Sequence, residues 1–322
     1  MLKRFKIFTF SNLTWIFILL ILFWVLHFFN DNQSYHETFS IIGFWFNSTN
    51  KVLSIILSIL LVIANVFMLL LITQKFEIFP NNSLIPIVIF VLLSAYIPGQ
   101  VFSSILLSNI FILYALYIVL KSMSTNKSLL LYLNVSIIAF IAGLIYYPHF
   151  AFFFILLIII LVIRSGVNKE LLVVFFSFIL LSLIFMELFY LIKGNVFDIS
   201  SFMKGFVNRG DSITLKLHDK IFMGILLFYI VLSALFLIAN VNQREIRIRT
   251  IFSIFLLLFV YSVLLAFIPS AYKSIWQFMI IPASFLIGYY FQFAKESKLN
   301  RLLFNLLFIL PFLYQLAVIF NF

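Results

Sequence analysis

Eleven runs of apolar residues, each 14 to 23 long, divide the chain: 13–29, 51–73, 83–97, 103–120, 129–146, 150–163, 171–192, 221–240, 250–268, 275–293 and 302–320. Only short charged or Pro/Gly/Asn-bearing breaks separate them. A helix needs about 20 apolar residues to cross a bilayer, and fewer where its neighbours shield it. A helix on a water-soluble protein carries an apolar stripe, not an apolar circumference. Composition agrees: 65% of the 322 residues are hydrophobic and 10% charged, against about 25% charged in an ordinary soluble domain. There is too little polar surface to cover a soluble globule, which excludes soluble enzymes, disordered chains and nucleic-acid-binding modules. The expected fold is all-α, a polytopic membrane protein of about 11 (10–12) transmembrane helices in a single integral membrane domain, 1–322. With no cysteine in the chain, disulfides, Fe–S clusters and thiolate metal sites are excluded.

The cations sort by side. With the N-terminus inside, the inner segments carry 14 of the 21 Lys and Arg residues: Lys3, Arg4, Lys6, Lys75, Lys121, Lys127, Arg164, Lys169, Arg244, Arg247, Arg249, Lys295, Lys298 and Arg301. The outer segments carry Lys51, Lys193, Lys204, Arg209, Lys216, Lys220 and Lys273. Acids show no such bias, with four inside, five outside and Glu187 within a span. Insertion sorts Lys and Arg but not Asp and Glu, so the split marks a positive-inside topology. The net charge of +11 then reads as orientation and attraction to membrane lipids, not to nucleic acid. An odd number of spans puts Phe322 outside. The first apolar run follows Lys3, Arg4 and Lys6 as in a signal peptide, but its length and the lack of a small-x-small site predict a retained helix. The expected location is a bacterial inner (cytoplasmic) membrane.

This threading gathers the polar chemistry on the outer face. All four histidines fall there, His27, His36, His149 and His218, together with Asp31, Glu37, Asp198, Asp211 and Asp219. The first outer loop, 27–37, offers Asp31 or Glu37 as general base for a hydroxyl acceptor and His36 as a phosphate contact. Residues 38–50 suit a stretch lying in the interface, where Trp and Phe are favoured. In the second loop, 193–220, Lys204, Arg209 and His218 offer a grip for a phosphate or pyrophosphate. His149, a further candidate substrate contact, stands in the Tyr147-Pro148-His149 break, expected to form a tight outer turn between two helices. Glu187 is expected below a cavity shared by the two loops, with a catalytic role there in orienting the acceptor or binding a metal-associated phosphate. A hydrated loop, or a protonated Glu187 bonded to a neighbour, explains the same residues without chemistry. Asn65, Asn109, Asn134 and Gln277 fit interhelical hydrogen bonding. No HxxH or HExxH spacing exists, which argues against retinal-forming oxygenases and membrane desaturases. No metal or cofactor is expected.

Certain motifs carry a resemblance: Asn65, Ser94-Ala-Tyr-Ile-Pro98, Ser108-Asn109-Ile-Phe-Ile-Leu, Gly143-Leu-Ile-Tyr-Tyr-Pro148, and Arg164 with Asn168-Lys169-Glu170. The stretch 65–193 resembles a multispan membrane family of Bacteroidota, a domain of unknown function. Where that family usually reads Arg-Glu, this chain has Lys169-Glu170. More remotely, the layout is similar to multispan glycosyltransferases that use polyprenyl-phosphate sugars. That resemblance implies a catalytic acid in the first outer loop, which maps onto Asp31 or Glu37, although neither forms the acid-x-acid pair many of those enzymes carry. Three functions follow as expectations. One is a glycosyltransferase-like protein acting outside the membrane on a polyprenyl-phosphate-linked sugar. The second is a non-catalytic subunit or scaffold of an envelope assembly, with membrane-protein partners. The third is a transporter or flippase with Glu187 as proton relay, disfavoured because no inverted repeat is visible.

The topology is tested by fusions. Alkaline phosphatase joined after Phe322 is expected to be active, and joined after Lys127 inactive; the reverse pattern refutes the threading.

Overall fold

A computed structural model describes residues 2–25, 51–95, 103–124, 128–163, 168–193, 217–267 and 276–319. The described residues form α-helices, short 3-10 turns and connecting turns, with no strand among them. A short leading helix, α1 (Leu2–Phe5), precedes eleven longer ones: α2 (Phe10–Val25), α3 (Lys51–Lys75), α4 (Ile85–Leu93), α5 (Ser104–Ser122), α6 (Ser128–Ile145), α7 (Phe152–Ile163), α8 (Asn168–Lys193), α9 (Leu217–Asn240), α10 (Ile246–Ala266), α11 (Trp276–Phe293) and α12 (Lys298–Ile319). Each falls on one of the eleven apolar runs. Six of them, α3, α5, α8, α9, α10 and α12, are long and apolar enough to cross a membrane. α2, α6 and α7 are shorter apolar helices.

The third apolar run, 83–97, predicts a longer helix than the nine residues of α4. Its start is displaced by a turn in which Pro80–Asn82 form a 3-10 helix and Glu77, Asn81 and Asn82 take positive φ. Its end comes at Ser94, whose hydroxyl donates to Val91 O at 2.8 Å. α1 covers this turn: Leu84 N donates to Phe5 O at 2.9 Å, and Ser83 Oγ donates to the same oxygen at 3.3 Å.

α4 and α11 form the centre. Every residue of α4 is buried, as are all but three of the eighteen in α11. α2, α3 and α12 also pack on α4, and α5, α9 and α10 on α11. A second group, α6, α7 and α8, joins through α5 and α10. Aromatic rings fill the interior: Phe255 stacks on Phe285 at 3.7 Å, and Tyr289 meets Phe252 at 4.5 Å. One contiguous apolar core draws residues from every helix.

Contacts between helices sort their ends into two groups. At one end Lys6 pairs with Glu296 at 3.2 Å, Arg301 approaches Glu296 at 3.6 Å, and Arg244 lies 3.9 Å over the Phe293 ring. This basic end holds the starts of α2, α10 and α12 and the end of α11. At the opposite end, the close of α12 meets the closes of α2 and α4, and the start of α5 meets the start of α11.

The centre depends on a close approach. A Cβ on Gly288 of α11 would lie 3.1 Å from Pro86 Cβ and 3.2 Å from its Cα in α4. Backbone cannot move aside as a flexible side chain does, and overpacking of this kind costs about 1–3 kcal/mol. Gly288→Leu is therefore expected to lower the thermal unfolding midpoint of the detergent-solubilised protein, and an unchanged midpoint would show that α4 and α11 separate freely.

Candidate functional site

The end opposite the basic one carries a layer of buried polar side chains, and α5 supplies its middle. Ser103 and Ser104 open this helix and Ser108 and Asn109 follow one turn later; all four are buried. A helix start exposes amides without intrahelical partners, so small polar residues there suit both capping and tight packing. Ser103 Oγ donates to Gln277 Oε1, and Asn109 Nδ2 donates to Gln277 O at 2.9 Å, tying the start of α5 to that of α11. Asn65 of α3 joins from the other side, its Nδ2 donating to Leu106 O at 3.1 Å and to Leu61 O at 2.8 Å. The expected glue function of Asn65, Asn109 and Gln277 is visible in these bonds. Asn134 is exposed.

The break after α6 gives the layer its one described imidazole. Tyr146 is extended (φ −136°, ψ 104°), Tyr147–Ala151 form a 3-10 turn, and α7 then begins. The chain folds back as expected, so that the Phe150 ring rests against Gly143, where a Cβ would come within 2.6 Å of a ring carbon. Phe150 also meets Phe178 at 6.1 Å. Phe178 lies 15 residues before Lys193, the last residue of α8, about 22 Å along the helix. His149 in this turn is fully buried.

Its protonation pattern follows from its partners. Ser108 Oγ lies 2.8 Å from Ala142 O and 2.6 Å from His149 Nδ1. A carbonyl only accepts, so the single hydroxyl proton goes to Ala142 O and Nδ1 must donate to Ser108 Oγ. In the neutral ring Nε2 then holds a lone pair, and this atom is buried with no hydrogen-bond partner. Tyr146 and Phe278 flank the ring at 4.9 and 5.1 Å, and Tyr261 donates to Pro148 O at 3.3 Å.

A second polar group closes the other side of the layer. Gln315 of α12 donates through Nε2 to Phe23 O at 3.1 Å and Ala95 O at 3.0 Å. Tyr314 donates to Asp219 Oδ1 of α9 at 2.7 Å. Three amide oxygens, Asn65 Oδ1, Asn109 Oδ1 and Gln315 Oε1, are buried without a donor, like His149 Nε2.

Of the residues singled out from sequence, Asp31, His36, Glu37, Lys204 and Arg209 lie outside the described residues, as does any meeting of the two loops. His218 is the second residue of α9. Glu187 is exposed on α8 and makes no hydrogen bond or ion pair among the described residues. The structure does not bring it to His149. No protein-family model matches the chain, and no curated protein or solved structure matches it. Sequence reasoning did not single out Ser108 and Gln315 as members of the layer; its signal was a polar residue inside an apolar run, the same one that marked Asn65.

Substituting Ser108 by Ala leaves the buried His149 Nδ1–H without an acceptor, a loss of about 1–3 kcal/mol. A lower unfolding midpoint for Ser108→Ala is expected; an unchanged one would mean that the imidazole does not donate there.

Proposed function

We propose that this multi-pass protein is glycosyltransferase-like, taking the sugar of a polyprenyl-phosphate-linked donor at the polar end of the bundle. That end is then the extracytoplasmic face of a bacterial inner membrane. The supporting observation is the set of buried acceptors without donors, His149 Nε2, Asn109 Oδ1, Asn65 Oδ1 and Gln315 Oε1. A buried acceptor left unpaired costs free energy, and a ligand rich in hydroxyl donors relieves that cost. A sugar is such a ligand, whereas a bare phosphate at neutral pH is dominated by acceptors and would face them unfavourably. The phosphate then falls to the cations of the second loop, Lys204 and Arg209, with His218 at the start of α9. Asp31 or Glu37 acts as the base that takes the acceptor's hydroxyl proton as the oxygen attacks the anomeric carbon; the bond from that carbon to the phosphate oxygen breaks, and polyprenyl phosphate leaves with its charge held by Lys204 and Arg209. Both loops are joined to the polar end, since Val25 and Lys193 close α2 and α8 while Lys51 and Leu217 open α3 and α9.

One observation favours the scaffold reading. Within the spanning part of α8 only 6% of residues are buried, leaving Leu172, Phe176, Leu180, Leu183 and Leu191 exposed. Such a helix suits a membrane partner as well as it suits lipid.

The two readings separate by substitution. Asp31→Ala or Glu37→Ala is expected to abolish transfer of sugar from a polyprenyl-phosphate donor into envelope glycan, at unchanged protein level. His149→Ala is expected to weaken donor binding. Wild-type glycan in Asp31→Ala, Glu37→Ala and Glu187→Ala alike would remove the enzymatic reading and leave the scaffold.

A further inference from the structure

At the basic end, α12 presents an open groove of about 420 Å³ lined by Lys298, Arg301, Leu302, Asn305, Leu306 and Ile309. The spacing of these residues repeats at three and four, which places them on one face of the helix. The same face continues outward through Leu313 and Leu316, both exposed. The opposite face holds Phe304, Leu307, Tyr314 and Gln315 buried in the bundle. The groove is thus graded along its length. Two cations stand in its first turn, a side-chain amide follows, and branched aliphatic side chains run on from it. Lys298 to Ile309 spans eleven residues, about 16 Å.

We propose that this groove is a binding site for a glycerophospholipid with a net anionic headgroup. The phosphate sits between Lys298 and Arg301, Asn305 bonds at glycerol level, and one acyl chain lies along Leu302, Leu306 and Ile309. Charge decides the headgroup class. Glu296 is the one acid among the described residues seen to ion-pair with these cations, and it faces Lys6 at 3.2 Å as well as Arg301 at 3.6 Å. Arg301 keeps further donors free for a phosphate, because its guanidinium has five N–H groups. A zwitterionic lipid would bring its own ammonium beside Lys298 and Arg301, where among the described residues no carboxylate but Glu296 lies within ion-pairing distance of either cation. The apolar continuation decides for a lipid over a free phosphate, since the half-exposed Leu302, Leu306 and Ile309 add nothing for a ligand without a chain. Membrane orientation is consistent with this site, because basic clusters at the cytoplasmic ends of spans attract anionic leaflet lipids. The site lies at the end of the bundle opposite His149 and does not depend on the sugar reading.

Native mass spectrometry of the detergent-solubilised full chain tests it, with dioleoyl-phosphatidylglycerol and dioleoyl-phosphatidylcholine as probes and glycerol 3-phosphate as the chain-free control. Wild-type protein is expected to prefer phosphatidylglycerol. Lys298→Gln and Arg301→Gln should each reduce its binding about fivefold, and together about 25-fold, with phosphatidylcholine unchanged. Leu306→Ser with Ile309→Ser should weaken both lipids alike, and glycerol 3-phosphate should not bind measurably. All these positions are exposed, and the thermal unfolding midpoint of each variant checks that the fold is retained. Equal wild-type affinity for the two lipids, an undiminished preference in the double glutamine variant, or glycerol 3-phosphate binding that matches phosphatidylglycerol would each overturn the proposal.

Discussion

Side-chain amides that donate to the backbone carbonyls of other helices hold this bundle together, and much else in the structure follows from them. Hydrocarbon offers no water to a carbonyl left over at a helix end or freed by a close approach. Gln315 answers two such carbonyls with one amide, Phe23 O at 3.1 Å and Ala95 O at 3.0 Å, and so joins α12 to the ends of α2 and α4. Asn65 reaches Leu106 O and Asn109 reaches Gln277 O, each in the first turn of a neighbouring helix, and these bonds tie α3 to α5 and α5 to α11. Every amide used in this way leaves its own oxygen behind. In Asn65, Asn109 and Gln315 that oxygen is buried without a donor. The bonds that fix the helices therefore create the acceptor-rich layer read here as a sugar site.

The two ends of the bundle are closed by different physics. The basic end uses charge and aromatic faces: Lys6 and Arg301 share Glu296, Arg244 lies over Phe293, and Arg247 sits 5.8 Å from the Phe76 ring centre. Cations on rings and carboxylates tolerate the partly wet setting of an interface. Among the described residues, the polar end uses neutral hydroxyls and amides bonded inward, with a single acid, Asp219, held by Tyr314 at 2.7 Å.

The helices were legible because an apolar run of some twenty residues has few other uses, and all eleven runs contain a helix. Their limits were less so. The run 83–97 is apolar throughout, and composition does not announce that α4 stops at Leu93. Orientation was harder still. On a helix apolar on every side, no periodicity says which face is covered, and the exposure of Glu187 on α8 could not be read from the run around it. His149 was legible as the residue of a proline break, but the break reads as surface. Its burial comes with Ser108 of α5 and Phe278 of α11 against the ring, contacts across helices that no local pattern encodes.

The contrast between α4 and α8 bears on how the chain enters its membrane. α8 has 26 residues, and its apolar stretch gains almost no cover from its neighbours. It can leave the insertion machinery alone and be stable in lipid at once. α4, with nine residues all buried, reaches only about 14 Å, half of a hydrocarbon core about 30 Å thick. Its unpaired terminal groups would stand in oil if it were released singly. It must be held back until α2 and α3 flank it and then wait for α11, nearly two hundred residues downstream. Assembly of this bundle is therefore completed late, with its centre among the last parts to close.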